Sequence, residues 1–335
     1  MPATGRPRRR RRVPVKTIVL LVVLAVIAYP IALLAVAWTH LGRVDALPAD
    51  TAATPGRTYL VVGSDSRKGL TKEQAKQLHT GGADVGQRTD TIMLLHVPAG
   101  GGPTVIMSIP RDSYVKIPGH GHNKINAAFA FGGPKLLART IEEASGVQID
   151  DYAEIGFGGF AAMVDAVGGV KICPKRDMKD KDAGLNIKKG CQQVGGAVAL
   201  GYARARHSDP RGDLGRVERQ REVLAAIVSK ATQPSTLINP FRTFPLASSG
   251  ASALTVDEHT GPVALARFVL GMKGAAGGNG LSMTVPVAGT GNRPGAGSVV
   301  LWDDAKARKV FAALKRSDTK ALRPYAEEQK AQLDK

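Results

Sequence analysis

Residues 57–67 read RTYLVVGSDSR, and this stretch shows the pattern that decides the fold. The apolar run Tyr59–Val62 has the composition of a buried strand, and Asp65 and Arg67 follow it at once. The same pairing of acid and base recurs beside later apolar runs, and basic residues gather in a late cluster: Arg88 and Asp90, Arg111 and Asp112, then Arg204, Arg206, Arg216, Arg219 and Gln220. Because guanidinium groups bind phosphate through paired hydrogen bonds and carboxylates bind Mg²⁺, the pattern predicts a pyrophosphate and metal site at strand ends.

Strand-like and helix-like segments alternate along most of the chain. The periodicity predicts strands over 57–64, 91–97, 104–109, 152–157 and 170–173, and helices over 71–78, 125–130, 134–145, 160–167, 214–230 and 302–314. This alternation predicts a single α/β domain over residues 58–317, with helices layered on a central sheet. His96, inside an apolar strand, is predicted to be a packed side chain, and the charged segment 318–335 is predicted to fray.

The N-terminal region predicts a membrane anchor. Residues 1–16 carry seven basic side chains and no acid, and the apolar run 17–38 is long enough for a helix to cross a bilayer. A cleaved signal peptide is the alternative, but its apolar stretch would be shorter, roughly 7–15 residues. The positive-inside rule then places residues 1–16 in the cytoplasm and the domain outside the cell, after a polar linker over 39–57.

The formal net charge is +18, and the seven basic residues before the apolar run account for only part of it. A basic surface suits anionic lipid, an anionic glycopolymer or nucleic acid. Aromatic residues make up only 5% of the chain, and it has no recognised nucleic-acid-binding motif. Base stacking is therefore poorly supplied, and we predict that nucleic acid is not a partner.

The chain has two cysteines, Cys173 and Cys191, both on the predicted outer side of the membrane. An oxidising compartment favours a disulfide between them over two unpaired buried thiols. The bridge would close the loop 174–190, which has little apolar content of its own, and would stabilise the fold by about 3 kcal/mol. A metal site is not expected here, because the sequence has no Cys-x-x-Cys pair or nearby histidine cluster.

The segment 214–230 is the clearest amphipathic helix. Its apolar residues recur at three- and four-residue steps, which marks a stripe that faces the core. Arg216, Arg219 and Gln220 share a face away from that stripe, near the helix N-terminus, where free amides also favour anions. This face is either part of an anion site or an ordinary solvated surface, and periodicity alone does not decide between them.

Seven strings, in order, resemble the LytR-CpsA-Psr family of cell-wall glycopolymer ligases. They are LVVGSDSR (60–67), QRTDTIML (87–94), SIPRDSYVKIPG (108–119), KINAAFAFGG (124–133), FGGFAAMVDAVGGV (157–170), GYARARH (201–207) and GDLGRVERQREVL (212–224). Each string alone is a weak signal, but their order behind one membrane span is specific, and the spaced cysteines resemble actinobacterial members. The chain departs from the family pattern at Gln87, where the family usually has Gly, while Arg88 and Asp90 remain.

The resemblance implies a single α-β-α layered domain with a central mixed sheet. It also implies an extracytoplasmic enzyme that moves a glycopolymer from a polyprenyl-pyrophosphate carrier to a muramic acid hydroxyl of peptidoglycan, as a phosphodiester. The carrier lipid would lie in a hydrophobic groove of the domain. The expected partners are therefore the lipid-linked glycopolymer, peptidoglycan and the membrane.

The family motifs also imply a role for each matching residue. Asp65 and Asp90 would hold Mg²⁺ or Mn²⁺, and the groups around the pyrophosphate would be Arg67, Arg88, Arg111, Lys124, Asn126, Arg204, Arg206, Arg216, Arg219 and Gln220. The expected catalytic residues are Arg111, Arg204, Arg216, Arg219 and Asp90, the last as candidate general base. Taken singly, the arginine and aspartate pairs also fit ordinary surface ion pairing, Lys124 fits a surface lysine, and Asn126 fits a helix cap.

Two other functions use the same features. A non-catalytic, membrane-anchored regulator that binds lipid or polymer would keep the arginines but would not need Asp65 and Asp90 together. A polyprenyl-pyrophosphate phosphatase would use the same site with water as the acceptor. The paired carboxylates favour an enzyme, and magnesium-dependent phosphotransfer to peptidoglycan is the function that the sequence predicts.

Overall fold

The computed structural model describes residues 14–48, 54–66, 71–80, 89–205, 209, 212–277 and 280–333. Within these ranges the helices are α1 (Val15–His40), α2 (Lys72–Gln77), α3 (Ile125–Ser145), α4 (Phe157–Ala166), α5 (Gly196–Arg204), α6 (Gly212–Ala231), α7 (Pro234–Leu237), α8 (Pro240–Ser252), α9 (Pro262–Ala276), α10 (Asp304–Lys315) and α11 (Thr319–Leu333). The strands are β1 (Gly42–Val44), β2 (Arg57–Ser64), β3 (Thr89–Val97), β4 (Val105–Ser108), β5 (Tyr114–Ile117), β6 (Gly121–Lys124), β7 (Asp151–Gly156), β8 (Val170–Ile172), β9 (Met178–Asp180), β10 (Leu185–Ile187), β11 (Gln192–Val194), β12 (Leu254–Asp257), β13 (Leu281–Thr284), β14 (Val287–Arg293) and β15 (Gly297–Trp302).

One sheet of seven strands forms the centre, in the order β1-β12-β7-β2-β3-β4-β13. The pairs β1–β12, β7–β2 and β4–β13 run parallel, whereas the other neighbouring pairs run antiparallel. The middle strands β2 and β3 are apolar along most of their length, as expected of strands that are covered on both faces. The predicted central mixed sheet is therefore confirmed.

Helices cover both faces of this sheet. Alternate residues of a strand point to opposite faces, so Leu60 and Tyr59 enter different cores. Leu60 packs in the core that α3, α10 and α11 complete, and Tyr59 packs against Phe268 of α9. A further cluster joins α4, α5 and α6 through side chains such as Val164 and Val223. The predicted α-β-α layering is confirmed.

The two short helices predicted over 125–130 and 134–145 form one element, α3, with a break between them. Gly132 and Gly133 depart from helical backbone angles, and Gly133 has a φ of 65°, a left-handed conformation that glycine adopts without a Cβ clash. Pro134 follows at the start of the second half, where its fixed φ suits the first helical turn. The break thus lies where the sequence places it.

The C-terminal segment is a packed helix, so the prediction that it frays is wrong. Leu322 and Ala326 of α11 are buried in the main core. The Gln329 amide donates to the Thr284 carbonyl and accepts from the Thr284 amide, both at 2.7 Å. Gln329 thereby bonds backbone groups at the edge of β13, where an unpaired strand edge would otherwise invite association. The two buried side chains lie four residues apart, and the charged residues around them obscured this helical spacing.

The predicted linker over 39–57 is wrong for its first part, because β1 follows α1 at once and pairs with β12. Arg43 of β1 lies 4.2 Å from the Trp38 ring centroid and donates to the Glu258 carbonyl at 3.2 Å. A strand of three residues is too short to give a periodic signal, so the sequence resembles a linker there. The N-terminal helix therefore joins the sheet directly.

α1 matches the predicted membrane span over 17–38. It is the one helix among the described ranges that is long and apolar enough to cross a membrane, and it contains Pro30. Such a helix near the N-terminus suggests a single-pass anchor.

The predicted disulfide between Cys173 and Cys191 is present. The loop that it closes differs from the prediction, because residues 174–190 contain the hairpin of β9 and β10. Met178 and Leu185 of this hairpin are buried in the same cluster as α5 and α6. Strands of three residues with alternating burial were too short to recognise. The bridge therefore anchors a hairpin with its own share of the core.

Candidate functional site

A polar cavity of about 210 Å³ lies beside the start of β3. Its lining comes from β3, the segment after β4, the β9–β10 hairpin, α5 and α6: Asp90, Arg111, Asp180, Asp182, Ala183, Arg204, Arg216 and Gln220. The structure thus brings together five of the predicted site residues, from positions far apart in the chain. Three arginines around one space form a natural anion site, and the carboxylates among them suit a bound cation.

Asp90 reaches this cavity through a bulge in β3. The pairing of β2 with β3 shifts between Gly63 and Ser64, whose partners are Thr91 and Thr89, so Asp90 is an extra residue without a partner in the register. An extra residue breaks the alternation of the strand and re-aims its side chain, and such bulges are frequent beside active sites. The bulge explains how a strand residue comes to line a cavity at the end of the sheet.

Arg111 follows β4 and lies within a chain of ion pairs. Its Nη1 closely contacts Asp90, its Nε lies 3.5 Å from Asp112, and Lys124 Nζ lies 3.1 Å from the same Asp112. All four side chains are partly buried, which strengthens the pairing relative to an exposed ion pair. The backbone amide of Asn126 also donates to the Arg111 backbone carbonyl at 3.2 Å. Lys124 and Asn126 therefore contact the Arg111 segment, and neither lines the cavity; their pyrophosphate role stays a prediction.

Arg204 ends α5 and lies between the polar cavity and an aromatic ring. Its Nη1 donates to the carbonyls of Leu78 and His79, at 3.2 and 3.3 Å. The guanidinium carbon lies 4.6 Å from the centroid of the Phe157 ring at the start of α4. These contacts fix the guanidinium plane, so less side-chain entropy is lost when it binds an anion.

The predicted basic face of α6 is buried. Arg216, Arg219 and Gln220 all have little solvent exposure, so the alternative of a solvated helix surface is wrong. Arg216 and Gln220 line the polar cavity. A guanidinium group at the wall of this cavity suits an anion bound there.

Arg219 is not among the residues that line the polar cavity, and it ties α6 to α5. Its Nε donates to the Tyr202 carbonyl at 3.0 Å, its Nη2 closely contacts the Ala205 carbonyl, and its Nη1 pairs closely with Asp209. The Tyr202 hydroxyl donates to Glu222 at 2.9 Å, and burial, with that carboxylate, raises the pKa of the Tyr202 phenol. The assigned role of Arg219 in binding pyrophosphate stays a prediction.

Three acidic residues near the site were missed by sequence reasoning. Asp180 and Asp182 line the cavity, and Asp180 Oδ1 accepts from the amides of Asp182 and Ala183 at 3.1 Å each. Asp209 pairs with Arg219. All three lie in charged stretches of the sequence, where an aspartate is unremarkable, so no local signal pointed to them.

An apolar cavity of about 70 Å³ adjoins the polar one. It lies between the central strands and α4, α5 and α6, with apolar lining from Val61, Val62, Met93, Ile155, Phe157, Phe160, Leu200, Ala203 and Leu224. Asp90, Arg204 and Gln220 line both cavities. A ligand that crosses this boundary would place a charged part among arginines and an apolar part against the sheet.

The predicted metal ligands come from neighbouring strand ends. Asp65 directly follows Ser64, the last residue of β2, which pairs with Thr89 of β3 beside Asp90. Carboxylate oxygens are the ligands that Mg²⁺ prefers, so the donor chemistry fits. Across the described ranges no group of three or more His, Cys, Asp or Glu could hold a metal ion, so further ligands would come from substrate oxygens or water. Asp65 is not among the lining residues of the polar cavity.

Three predicted arginines, Arg67, Arg88 and Arg206, lie outside the residues that the structure describes. Their assignment to the pyrophosphate stays a prediction.

Comparison with known proteins agrees with the sequence motifs. The profile of the LytR_cpsA_psr family matches residues 44–292. The probable cell wall biosynthesis protein LcpB of Corynebacterium glutamicum is 52% identical over 279 residues, which cover 83% of this chain and 66% of LcpB. The chain thus matches just under two thirds of that relative's length.

Solved structures share the fold at lower identity. A LytR-Csp2A-Psr enzyme from Actinomyces oris has a TM-score of 0.62 and 22% identity, over 82% of this chain and 96% of that one. A TagT structure described as bound to LIIa-WTA has a TM-score of 0.57 and 24% identity, over 78% of this chain and 91% of that one. Because the family profile covers most of the chain, the chain belongs to the LytR_cpsA_psr family.

Proposed function

We propose that the chain transfers a glycopolymer from a polyprenyl-pyrophosphate carrier to a muramic acid hydroxyl of peptidoglycan. The observation that carries this proposal is the junction of the two cavities, where Asp90, Arg204 and Gln220 line both. A polyprenyl pyrophosphate has the matching form, since its charged pyrophosphate is joined directly to an apolar chain. Family membership and the name of the LcpB relative support a role in cell wall assembly.

In this proposal Arg111, Arg204 and Arg216 hold the pyrophosphate oxygens in the polar cavity, and Gln220 adds a neutral donor. The first carbons of the prenyl chain enter the apolar cavity against side chains such as Phe160 and Leu224. Burial of an apolar chain contributes about 25 cal/mol per Å² of surface removed from water, while the arginines fix where the head group lies.

Asp65 and Asp90 are the residues that would hold Mg²⁺ or Mn²⁺. When bound, the metal would neutralise charge on the pyrophosphate oxygens and orient them for displacement. Arg111 contacts Asp90 closely, so this ion pair also holds the carboxylate in place.

In the transfer step, the acceptor hydroxyl oxygen forms a bond to the phosphorus that carries the glycopolymer. The anhydride bond to the prenyl phosphate breaks, and the prenyl phosphate leaves with the electron pair of that bond. Asp90 is the candidate for the base that accepts the hydroxyl proton. The arginines stabilise the charge that grows on the departing phosphate, which is the main task in phosphoryl transfer.

The proposed location follows from the anchor and from the substrate. We propose that residues 1–16 lie in the cytoplasm and that the domain lies outside the cell, at the membrane surface. A lipid-linked donor in the membrane and peptidoglycan beyond it would both reach a domain placed there.

The direct test uses the full chain in detergent micelles with a lipid-linked glycopolymer, Mg²⁺ and purified peptidoglycan. We expect a phosphodiester between polymer and peptidoglycan in muramidase digests, by mass spectrometry, and loss of this product when a chelator removes the metal. Release of polymer phosphate without attachment would support the phosphatase instead. Binding of the donor without any turnover would support the non-catalytic regulator.

The same assay tests the site through Arg111→Ala. Removal of a group that stabilises developing charge commonly lowers the rate ~100-fold to 1,000-fold, and we expect a loss of that size. Arg139→Ala is the matched control, since Arg139 forms an exposed helix ion pair with Glu143 at 3.0 Å, and its rate should be unchanged. A full rate in Arg111→Ala would contradict the site assignment.

A further inference from the structure

The C-terminal half of α1 packs against the domain, and its N-terminal half does not. Tyr29, Leu33, Val36 and Ala37 are partly buried and recur at helical spacing, so they form one stripe. Every residue from 15 to 28 is exposed. A helix with the composition of a membrane span is therefore covered by its own domain along half of its length.

Tyr29, near the middle of α1, is the first residue of this stripe in chain order. Its hydroxyl donates to the Leu237 carbonyl at 3.3 Å and closely contacts the Thr243 hydroxyl. Its ring meets the Phe244 ring edge-on, with centroids 6.0 Å apart. The contacting residues belong to α7 and α8, so these two short helices lie beside the middle of the membrane span.

The free part of α1 is too short to cross a bilayer by itself. Residues 15–28 are about 14 residues, or roughly 21 Å of helix at about 1.5 Å per residue. The hydrocarbon core of a bilayer is about 30 Å thick. If α1 spans the membrane, some 9 Å of the hydrocarbon layer must therefore surround the part of α1 that carries α7 and α8.

The surface of residues 234–252 fits such a position. Ile238 and Phe241 are 78% and 89% exposed, and Leu237 and Phe244 are exposed beside them. The single charged residue of this segment is Arg242, whose long side chain can reach the head groups. Large apolar side chains grouped in this way are costly in water and favourable in lipid.

We infer that residues 234–252 are immersed in the membrane leaflet that surrounds the C-terminal half of α1, with Ile238 and Phe241 among the acyl chains. The absence of a linker supports this, because β1 fixes the domain to the end of α1. The occupant of this apolar face is lipid hydrocarbon, and the depth of about 9 Å matches that of interfacial helices, which is about 5–10 Å.

The immersed segment is also joined to the apolar cavity. A Cβ at Gly159 of α4 would lie 2.8 Å from the Ala253 Cα, at the end of α8, so the two helices meet at contact that only glycine allows. α4 supplies Phe157 and Phe160 to the cavity wall. The same helix thus contacts both the end of the immersed segment and the cavity.

The test uses lipid-attached quenchers and the full chain in phosphatidylcholine vesicles. Both native cysteines form the disulfide, so Phe241→Cys supplies a unique thiol for a fluorescent label. Val287→Cys is the matched control, because Val287 is also apolar and exposed. It follows β13, the edge strand opposite β1. The two edge strands are separated by roughly 29 Å, at about 4.8 Å per strand.

With a nitroxide on the lipid acyl chain, we expect several-fold stronger quenching and bluer emission at position 241 than at 287. Aqueous iodide should show the opposite order. Ile238→Cys gives an independent second position in case Phe241→Cys does not fold. Equal quenching by the nitroxide at position 287 and at both position 241 and position 238 would overturn the inference. The readout needs no enzymatic activity, so it stands or fails separately from the proposed reaction.

Discussion

At the scale of single residues, Arg219 shows the limit of a motif. The sequence places it beside Arg216 and Gln220 on one helix face, and this much is correct. The motif does not reveal that the α5 carbonyls and Asp209 approach Arg219 from another part of the chain. Partners that are distant in sequence carry no periodic signal, so a supporting arginine and a ligand-binding arginine look alike.

Arg219→Ala should therefore lower stability as well as activity. Removing one partner of a buried ion pair leaves the other charge unpaired, at a cost of about 3–5 kcal/mol in the free energy of unfolding. Denaturant unfolding of the full chain in micelles measures this change, with exposed Arg139→Ala as the control. If Arg219→Ala keeps the wild-type unfolding free energy and loses only transfer, then Arg219 acts on the substrate and our structural interpretation is wrong.

His96 was predicted to be a packed side chain, and it is buried between two hydroxyl groups. Thr58 Oγ1 lies 3.0 Å from Nδ1, and Ser317 Oγ lies 2.7 Å from Nε2. Burial lowers the pKa of His96 to about 4, from 6.5. The sequence could predict the burial, but not the contact with Ser317, because a partner 221 residues away leaves no local signal.

This lowered pKa gives a prediction with a definite sign. Between pH 6.5 and about 4 the unfolded state binds the proton at His96 and the folded state does not. Stability is therefore complete above pH 6.5 and falls toward pH 4, by about 3 kcal/mol at about 1.4 kcal/mol per pKa unit. We expect His96→Gln to have a flatter dependence of unfolding free energy on pH over this window, with exposed His120→Gln as control. Parallel curves for wild type and His96→Gln would contradict the prediction.

At the scale of elements, length explains only part of what the sequence could predict. β2, β3 and α6 each hold eight or more residues, and their periodicity was recognised. Of the strands of three residues, β8 was predicted, but those of the hairpin in the disulfide loop were not, because three residues give little periodic signal. α8 was missed for a different reason. Its sequence contains two prolines, which are typical of loops, and its apolar residues Phe241 and Phe244 are exposed and do not mark a face that packs on the core.

The disulfide loop carries the prediction at this scale. Cys173→Ala with Cys191→Ala should lower the free energy of unfolding by about 3 kcal/mol, because the open chain gains entropy when it unfolds. The β9–β10 hairpin also carries Asp180 and Asp182, so the transfer rate should fall if the hairpin loosens. Thermal unfolding with and without reductant measures the first effect. Unfolding that is unchanged by reductant would show that the bridge does not support the fold.

At the scale of the whole molecule, the site is a product of topology. The polar cavity draws on segments from Asp90 to Gln220, and the sheet order brings them together. Motifs identified the residues from β3, α5 and α6, because the strings that carry them are specific when taken in order. They could not supply Asp180, since its place follows from how the hairpin packs against α5. The sequence therefore predicted most of the residue types in the site, but not the full set of residues that line it.

The position of the C-terminal helix shows that it supports the fold and does not line the site. α11 closes the main core with Leu322, while no residue of α11 lines the polar cavity. Leu322→Ala should lower the free energy of unfolding by about 2–5 kcal/mol through the lost burial and the space left behind. Exposed Lys320→Ala on the same helix is the control and should change it by less than about 0.5 kcal/mol. Below its unfolding temperature, Leu322→Ala should transfer polymer at the wild-type rate, because the cavity lining is untouched. A lower rate at unchanged stability would mean that α11 acts on the site directly.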